Sequence, residues 1–119
     1  MALIVQKYGG TSVADPDRIR AVAENVAITK RNGHDVVVVV SAMGKATDNL
    51  IALADSVSKT QPGREMDMLL TTGERVSAAL VTMALIDHGV EAVSFTGSQV
   101  GIITDTVHTK AKILEVKGD

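Results

Sequence analysis

Lys7-Tyr8-Gly9-Gly10-Thr11-Ser12 brings together groups that suit a phosphate. Glycines let backbone N–H groups approach an anion closely, and a lysine adds a point charge. On spacing alone, an ordinary glycine turn after a strand explains these residues equally well. A second segment, Ser41-Ala42-Met43-Gly44-Lys45-Ala46-Thr47, invites comparison with a P-loop. That motif needs a glycine five positions before the glycine of its Gly-Lys pair, where Val39 stands. It also needs Ser or Thr after the lysine, where Ala46 stands. The P-loop is therefore rejected, and no G-x-G-x-x-G pattern occurs. What remains is a polar loop feeding a helix start, which suits an anionic ligand. A plain βα loop with Thr47 as a cap is the simpler account. A third segment, Thr71-Thr72-Gly73-Glu74-Arg75, places a carboxylate where it could accept a hydrogen bond from a substrate ammonium. Glu74 is also what the dipole of a helix start favours, and by itself that explanation is better.

Other polar residues carry less. His34, His88 and His108 are widely spaced, without a metal-binding pattern, and read as loop or surface residues. Asp15 and Asp17 read as helix-start acids, and Arg64 and Glu65 as a solvated helix start. The five methionines read as core filler. No protein ligand set for a metal is expected.

The elements that must hold these segments follow from periodicity. Leu3 to Val5, ended by Gly9-Gly10, predicts a buried strand. Asp15-Pro16 predicts a capped helix start, Ile19, Val22, Ala23 and Val26 its apolar face, and Lys30-Arg31 and Gly33 its end. Val36 to Val40, five valines in a row, predicts a central strand covered on both faces. Thr47 or Asp48 is placed to cap a second helix with Leu50, Leu53, Ala54 and Val57 on its apolar face. After the turn at Thr60 to Gly63, a short helix is expected from Arg64 to Leu70. Thr71 to Gly73 should interrupt it before a longer helix from Glu74 to Asp87, buried through Val76, Ala79, Leu80 and Met83. Strands are expected at Val90 to Phe95, Val100 to Ile103 and Ala111 to Val116. This order predicts an α/β layered fold with a mainly parallel sheet. Ligands of such sheets bind beyond the carboxyl ends of the strands, so Lys7 to Ser12, Ser41 to Thr47 and Phe95 to Ser98 should share one rim.

Composition excludes several classes. At 119 residues and 45% hydrophobic, the chain can form one packed domain. A net charge of −2, with both signs interspersed and 2% aromatics, gives no footprint for nucleic acid. With no cysteine, disulfides and thiolate metal sites are impossible. The N-terminus lacks the basic region of a signal peptide, and the Val36 to Val40 run is too short to span a membrane. A cytoplasmic, membrane-free protein is expected.

Taken in order, the segments resemble the aspartate kinases. Lys7 to Ser12 is similar to the opening motif of that family, and Val38-Val39-Val40-Ser41-Ala42-Met43 to its second-strand motif. Arg64-Glu65-Met66-Asp67 and Thr72-Gly73-Glu74-Arg75 are similar to the helical landmarks that follow. Ser94-Phe95-Thr96-Gly97-Ser98-Gln99 and His108-Thr109-Lys110-Ala111 are similar to the next two. Each motif alone is weak, but their joint order spans essentially the whole chain and separates this family from other amino-acid kinases. The overall flavour is similar to actinobacterial members.

The resemblance implies a three-layer α/β/α sandwich, the amino acid kinase fold. It implies transfer of the ATP γ-phosphoryl group, with Mg2+, to the β-carboxylate of L-aspartate, the entry to lysine, threonine and methionine biosynthesis. Lys7 would be catalytic, neutralising the phosphoryl group in flight. Lys7, Tyr8, Gly9, Gly10 and Ser41 would hold ATP, and Lys45, Ala46, Thr47 and Glu74 would hold aspartate. The resemblance thus reverses the simpler accounts of these residues. It also implies that residues 1–119 are the N-terminal part of the catalytic domain. The rest of that domain and the regulatory ACT domains would lie outside, so this chain alone is expected to be inactive and prone to self-association. The intact enzyme is expected to be a homo- or hetero-oligomer. Two other readings compete: an amino-acid kinase for a different acceptor, and a non-catalytic protein that keeps the fold.

Overall fold

Two parallel strands and the helices that cover one of their faces form the centre of the molecule. The structure, a computed structural model, describes residues 2–96, 102–104 and 113–116. Strand β1 (Leu3–Tyr8) pairs with β2 (Asp35–Val40) in parallel register, from Leu3 opposite Asp35 to Tyr8 opposite Val40. Between them, a 3-10 turn (Gly10–Val13) leads into α1 (Pro16–Arg31). That helix starts as its sequence predicts. The Asp15 carboxylate accepts from the Arg18 N–H at 2.9 Å, and Pro16 occupies the first turn. It ends at Gly33, whose φ of +92° is the left-handed conformation that glycine adopts freely. After β2 come α2 (Ala46–Val57) and α3 (Gly63–Asp87). Ile19, Val22, Ala23, Val26 and Ala27 of α1 are buried with Val81 and Leu85 of α3, and Tyr8, Val36, Val38 and Val40 pack against this cluster. The even-numbered side of the strands is thus the core side.

The other side departs from expectation. Burial alternates along both strands, and Leu3, Val5, Val37 and Val39 are 46–69% exposed. The valine run was expected to be covered on both faces. Among the described residues α1 and α3 cover one, since the α1 crossover lies on that side and α3 packs against α1 there.

The helices differ too. No break separates Arg64–Leu70 from Glu74–Asp87: α3 is one helix of 25 residues. Thr71 and Thr72 stay in it by donating their hydroxyls to the Met68 and Leu69 carbonyls, at 3.0 and 2.7 Å. Gly73 is tolerated because it is a point of close packing. By length and composition α3 is apolar enough to cross a membrane, yet it packs against α1 as a core helix. Its buried face is Gly73, Ser77, Val81 and Leu85, a strict four-residue spacing, while Val76, Leu80 and Met83 are exposed. Ala79 is only partly buried. Small residues won the buried positions because they let α3 come close to its neighbours. Ser77 is fully buried and returns its hydroxyl to the Gly73 carbonyl at 3.4 Å. Helix α2 buries no residue, and Leu53 and Val57 are exposed. It starts two residues earlier than a Thr47 cap would place it. Lys45 occupies the cap position and no side chain caps it, so neither Thr47 nor Asp48 does. Met68 and Met83 are exposed rather than core filler.

The expected strand at Val90 to Phe95 is not a strand in the structure, although Val90 and Ala92 pack against the core. Strand β3 (Ile102–Thr104) overlaps the expected Val100 to Ile103, β4 (Ile113–Val116) falls within the expected Ala111 to Val116, and the two pair antiparallel, apart from β1 and β2.

Candidate functional site

The carboxyl ends of β1 and β2 bring the two glycine-bearing segments together as the topology requires. The ladder continues past the strands, with the Ser41 N–H donating to the Tyr8 carbonyl at 3.1 Å. The loops then join directly: the Gly44 N–H donates to the Gly10 carbonyl at 3.0 Å. This contact demands glycine at position 10. A Cβ there would lie 3.0 Å from the Ala42 carbonyl oxygen and 3.4 Å from that of Gly44. Gly44 turns the second loop with a φ of +46°. Gly9 has open space around it, so its value lies in exposing backbone rather than in avoiding a clash. The N–H groups of Gly9 and Gly10 donate none of the turn and loop hydrogen bonds among the described residues. Both remain available to an anion.

The first loop is braced from behind. Arg18 donates through Nη1 to the Thr11 carbonyl at 2.6 Å, and its Nε lies 3.8 Å from the Asp15 carboxylate. The Ser12 N–H donates to the Gly9 carbonyl at 3.0 Å. The start of α1 thereby fixes the turn after Gly10.

Lys7 and Tyr8 divide between the two faces. Lys7 is exposed on the open face with Leu3 and Val5, and makes no ion pair among the described residues. Tyr8 turns to the other face. Its hydroxyl donates to Gln6 Oε1 at 2.7 Å and accepts from Asn25 Nδ2 at 2.8 Å. Its side chain is thus committed to α1, and only its backbone stays at the rim. With Thr11, Ser12, Arg18, Ala21, Val22 and Asn25 it lines an open depression of about 370 Å³ on that side.

The other side of the rim is built from the start of α2 and the middle of α3. Ser41, Ala46 and Thr47 are partly exposed, and Lys45 is exposed. The Ala46 N–H is taken by the Met43 carbonyl at 2.7 Å, and no side chain caps the helix. The next N–H groups, of Thr47 and Asp48, are the unsatisfied donors every helix start offers to an anion. Glu74 is exposed in the middle of α3, so the helix-start explanation of it fails. Its neighbour Gly73 ties it to the rim. A Cβ on Gly73 would stand 3.0 Å from Ala42 Cβ, 3.5 Å from Leu50 Cδ1 and 4.0 Å from Ala46 Cβ. Phe95 and Thr96 belong to the third expected rim segment, and Gly97 and Ser98 lie outside the described residues, as does the His108 to Ala111 landmark.

The donors here fit phosphate and carboxylate groups: lysines, free backbone N–H groups and hydroxyls. Among the described residues no cluster of three His, Cys, Asp or Glu side chains could hold a metal. A divalent ion at this rim would be carried by the phosphates themselves, as Mg2+ commonly is. Sequence reasoning missed Ala42, Arg18 and Asn25. Gly73 could have been found, since a glycine inside an otherwise helical pattern signals close packing.

Lysines, backbone N–H donors and hydroxyls gathered at the carboxyl ends of parallel strands are the layout of α/β proteins that bind their ligands at that rim. The chain belongs to the amino acid kinase family, whose description matches residues 2–118. It is 63% identical over 116 residues to an aspartokinase of Mycolicibacterium smegmatis, covering 98% of this chain and 28% of that protein. It is 58% identical, with the same shares, to an aspartokinase of Corynebacterium glutamicum. The crystal structure of an aspartate kinase from Synechocystis superposes with a TM-score of 0.81 at 56% identity, over 84% of this chain and 17% of that one. The chain thus spans little more than a quarter of the length of the curated relatives it matches.

Proposed function

We propose that the protein carrying this chain is an aspartate kinase, which uses MgATP to phosphorylate the side-chain carboxylate of L-aspartate. The observation that carries this is the hydrogen-bonded convergence of the Gly9–Gly10 and Ser41–Thr47 loops beside Gly73–Glu74. A phosphate-type half and a carboxylate- and ammonium-type half share one rim. Relatives named aspartokinase or aspartate kinase, at 55–63% identity, support the choice of aspartate.

The chemistry needs no protein nucleophile. An oxygen of the aspartate side-chain carboxylate attacks the γ-phosphorus, the bond to the β,γ-bridging oxygen breaks, and ADP leaves with its electron pair. The products are ADP and 4-phospho-L-aspartate. Positioning and charge stabilisation supply nearly all the catalysis of such a transfer. Lys7 neutralises charge on the phosphoryl group in flight. The N–H groups of Gly9 and Gly10, with the backbone of Tyr8 and the hydroxyl of Ser41, hold the phosphates. Lys45, Ala46 and Thr47, at the start of α2, hold the aspartate carboxylate side, and Glu74 receives its ammonium. Mg2+ carried by ATP would supply further shielding of the phosphate charge. The reading extends to a cytoplasmic, oligomeric enzyme at the entry to lysine and threonine biosynthesis. The rim built by the described residues is one side of a site, so the 119-residue polypeptide alone is expected not to turn over.

Hydroxylamine trapping tests this. MgATP with L-aspartate, and separately with L-glutamate, is incubated with the intact protein and with the 119-residue chain. Aspartyl hydroxamate from the intact protein alone is the expected result. Glutamyl hydroxamate instead, or neither product, would overturn the assignment.

A further inference from the structure

We propose that Gly73 is a positioning residue, which sets the spacing between the acceptor side and the phosphate side of the rim through Ala42. The catalytic consequence rests on the aspartate kinase reading; the mechanical one does not. Gly73 sits inside α3, where glycine is a poor helix former, and it is buried. Its missing side chain is occupied by a neighbour: a Cβ there would come within 3.0 Å of Ala42 Cβ. Ala42 is itself buried, and its methyl is rigidly attached to the loop backbone, so it cannot yield by rotation. On its other side the Ala42 carbonyl oxygen would lie 3.0 Å from a Cβ on Gly10. Ala42 is therefore wedged between two glycines, its methyl against α3 and its carbonyl against the phosphate loop. Next to this wedge the Gly44 N–H holds the Gly10 carbonyl at 3.0 Å. Glu74 follows Gly73 directly in α3. A shift of α3 against Ala42 thus moves the ammonium-binding carboxylate relative to Gly9, Gly10 and Lys7, and in-line transfer tolerates little misplacement.

The test is Gly73→Ala in the intact protein, read by amide hydrogen exchange and by hydroxamate kinetics. Alanine favours helix, so exchange within α3 should slow or stay unchanged. Exchange at Gly44 and Ser41 should rise about tenfold or more as the loop is pushed off Gly10. The kcat should fall roughly 10- to 100-fold. Adding Ala42→Gly to Gly73→Ala removes the opposing methyl and should restore both loop exchange and kcat. Unchanged exchange at Gly44 in Gly73→Ala, or no restoration in the double variant, overturns the proposal. If Gly73→Ala does not fold, the double variant decides, recovery supporting the wedge and continued failure refuting it. If the wild-type protein makes no hydroxamate, the functional reading falls, and loop exchange alone decides the proposal.

Discussion

Asn25 of α1 donates to the Tyr8 hydroxyl of β1 at 2.8 Å, and that hydroxyl donates in turn to Gln6. Gln6 donates to Thr29, whose hydroxyl returns to the Asn25 carbonyl at 3.1 Å, which closes the circuit between strand and helix. Tyr8 therefore holds β1 on α1 rather than reaching a nucleotide with its ring. Tyr8→Phe should cost about 1 kcal/mol of stability, the net worth of a partly buried hydrogen bond. The KM for ATP should stay within about twofold, less than 0.5 kcal/mol of binding. Urea unfolding and initial rates on the same preparations check both. A much larger rise in KM would put the phenol in the nucleotide site.

Lys7 offers the opposite case. It is exposed and makes no ion pair among the described residues, so its removal should leave the fold intact. In the proposed mechanism its charge has work only when a phosphoryl group is in transit. Lys7→Ala in the intact protein should lower kcat by roughly 10²–10³-fold, the scale for removing one transition-state donor. The KM for aspartate should change little, because that interaction is made in the transition state. Parallel losses in kcat and thermal stability would make Lys7 structural instead.

Much of this was legible in the sequence where local signals agree. Asp15-Pro16, the Ile19–Val26 spacing and Gly33 each act within α1, and the structure follows all three. The rim was legible because parallel strands joined by helices put their strand-to-helix loops at one end, and the Gly44–Gly10 hydrogen bond is where that geometry closes. Tertiary packing hid the rest. Gly73 reads as a helix breaker because intrinsic propensity says so. What selects glycine there is Ala42, thirty-one positions away, which occupies the space of its side chain. The buried face of α3 was misassigned for the same reason, since hydrophobicity favours Val76 and Met83 while close approach selects Gly73 and Ser77. The direction of the Tyr8 side chain was hidden as well, because sequence order does not reveal which face a strand residue takes until the pairing is known.

The face of α3 is testable directly. Leu85 is buried against α1, and Met83, two residues away, is 61% exposed. In the 119-residue polypeptide, Leu85→Ala should cost about 2–5 kcal/mol, the range for truncating a core leucine. Met83→Ala should stay within about 0.5 kcal/mol, as exposed substitutions do. Denaturant midpoints compared at equal slope measure the difference. A larger loss at Met83 than at Leu85 would mean that α3 is rotated from the orientation described.

Acid sensitivity gives a last check, at the end of the sheet opposite the rim. Lys30 Nζ donates to Asp35 Oδ1 at 2.8 Å, and this hydrogen bond, followed by the lysine charge, holds the Asp35 carboxyl below its ordinary value of 3.8. A carboxyl depressed in the folded state binds protons more weakly than in the unfolded chain. Its contribution to stability is therefore fully present above pH 3.8 and is lost as the pH falls through the lower folded value. The pair is exposed, so salt should weaken it; at about 1 M the screening length falls to roughly 3 Å. Unfolding of the wild type and of Asp35→Asn, followed from pH 7 down to about pH 2 in low and high salt, tests the linkage. The wild type should lose its advantage over the variant only at the acid end, and show less advantage throughout at high salt. An advantage that grows on acidification would mean that Asp35 takes up its proton more readily in the folded state, and that Lys30 does not hold it.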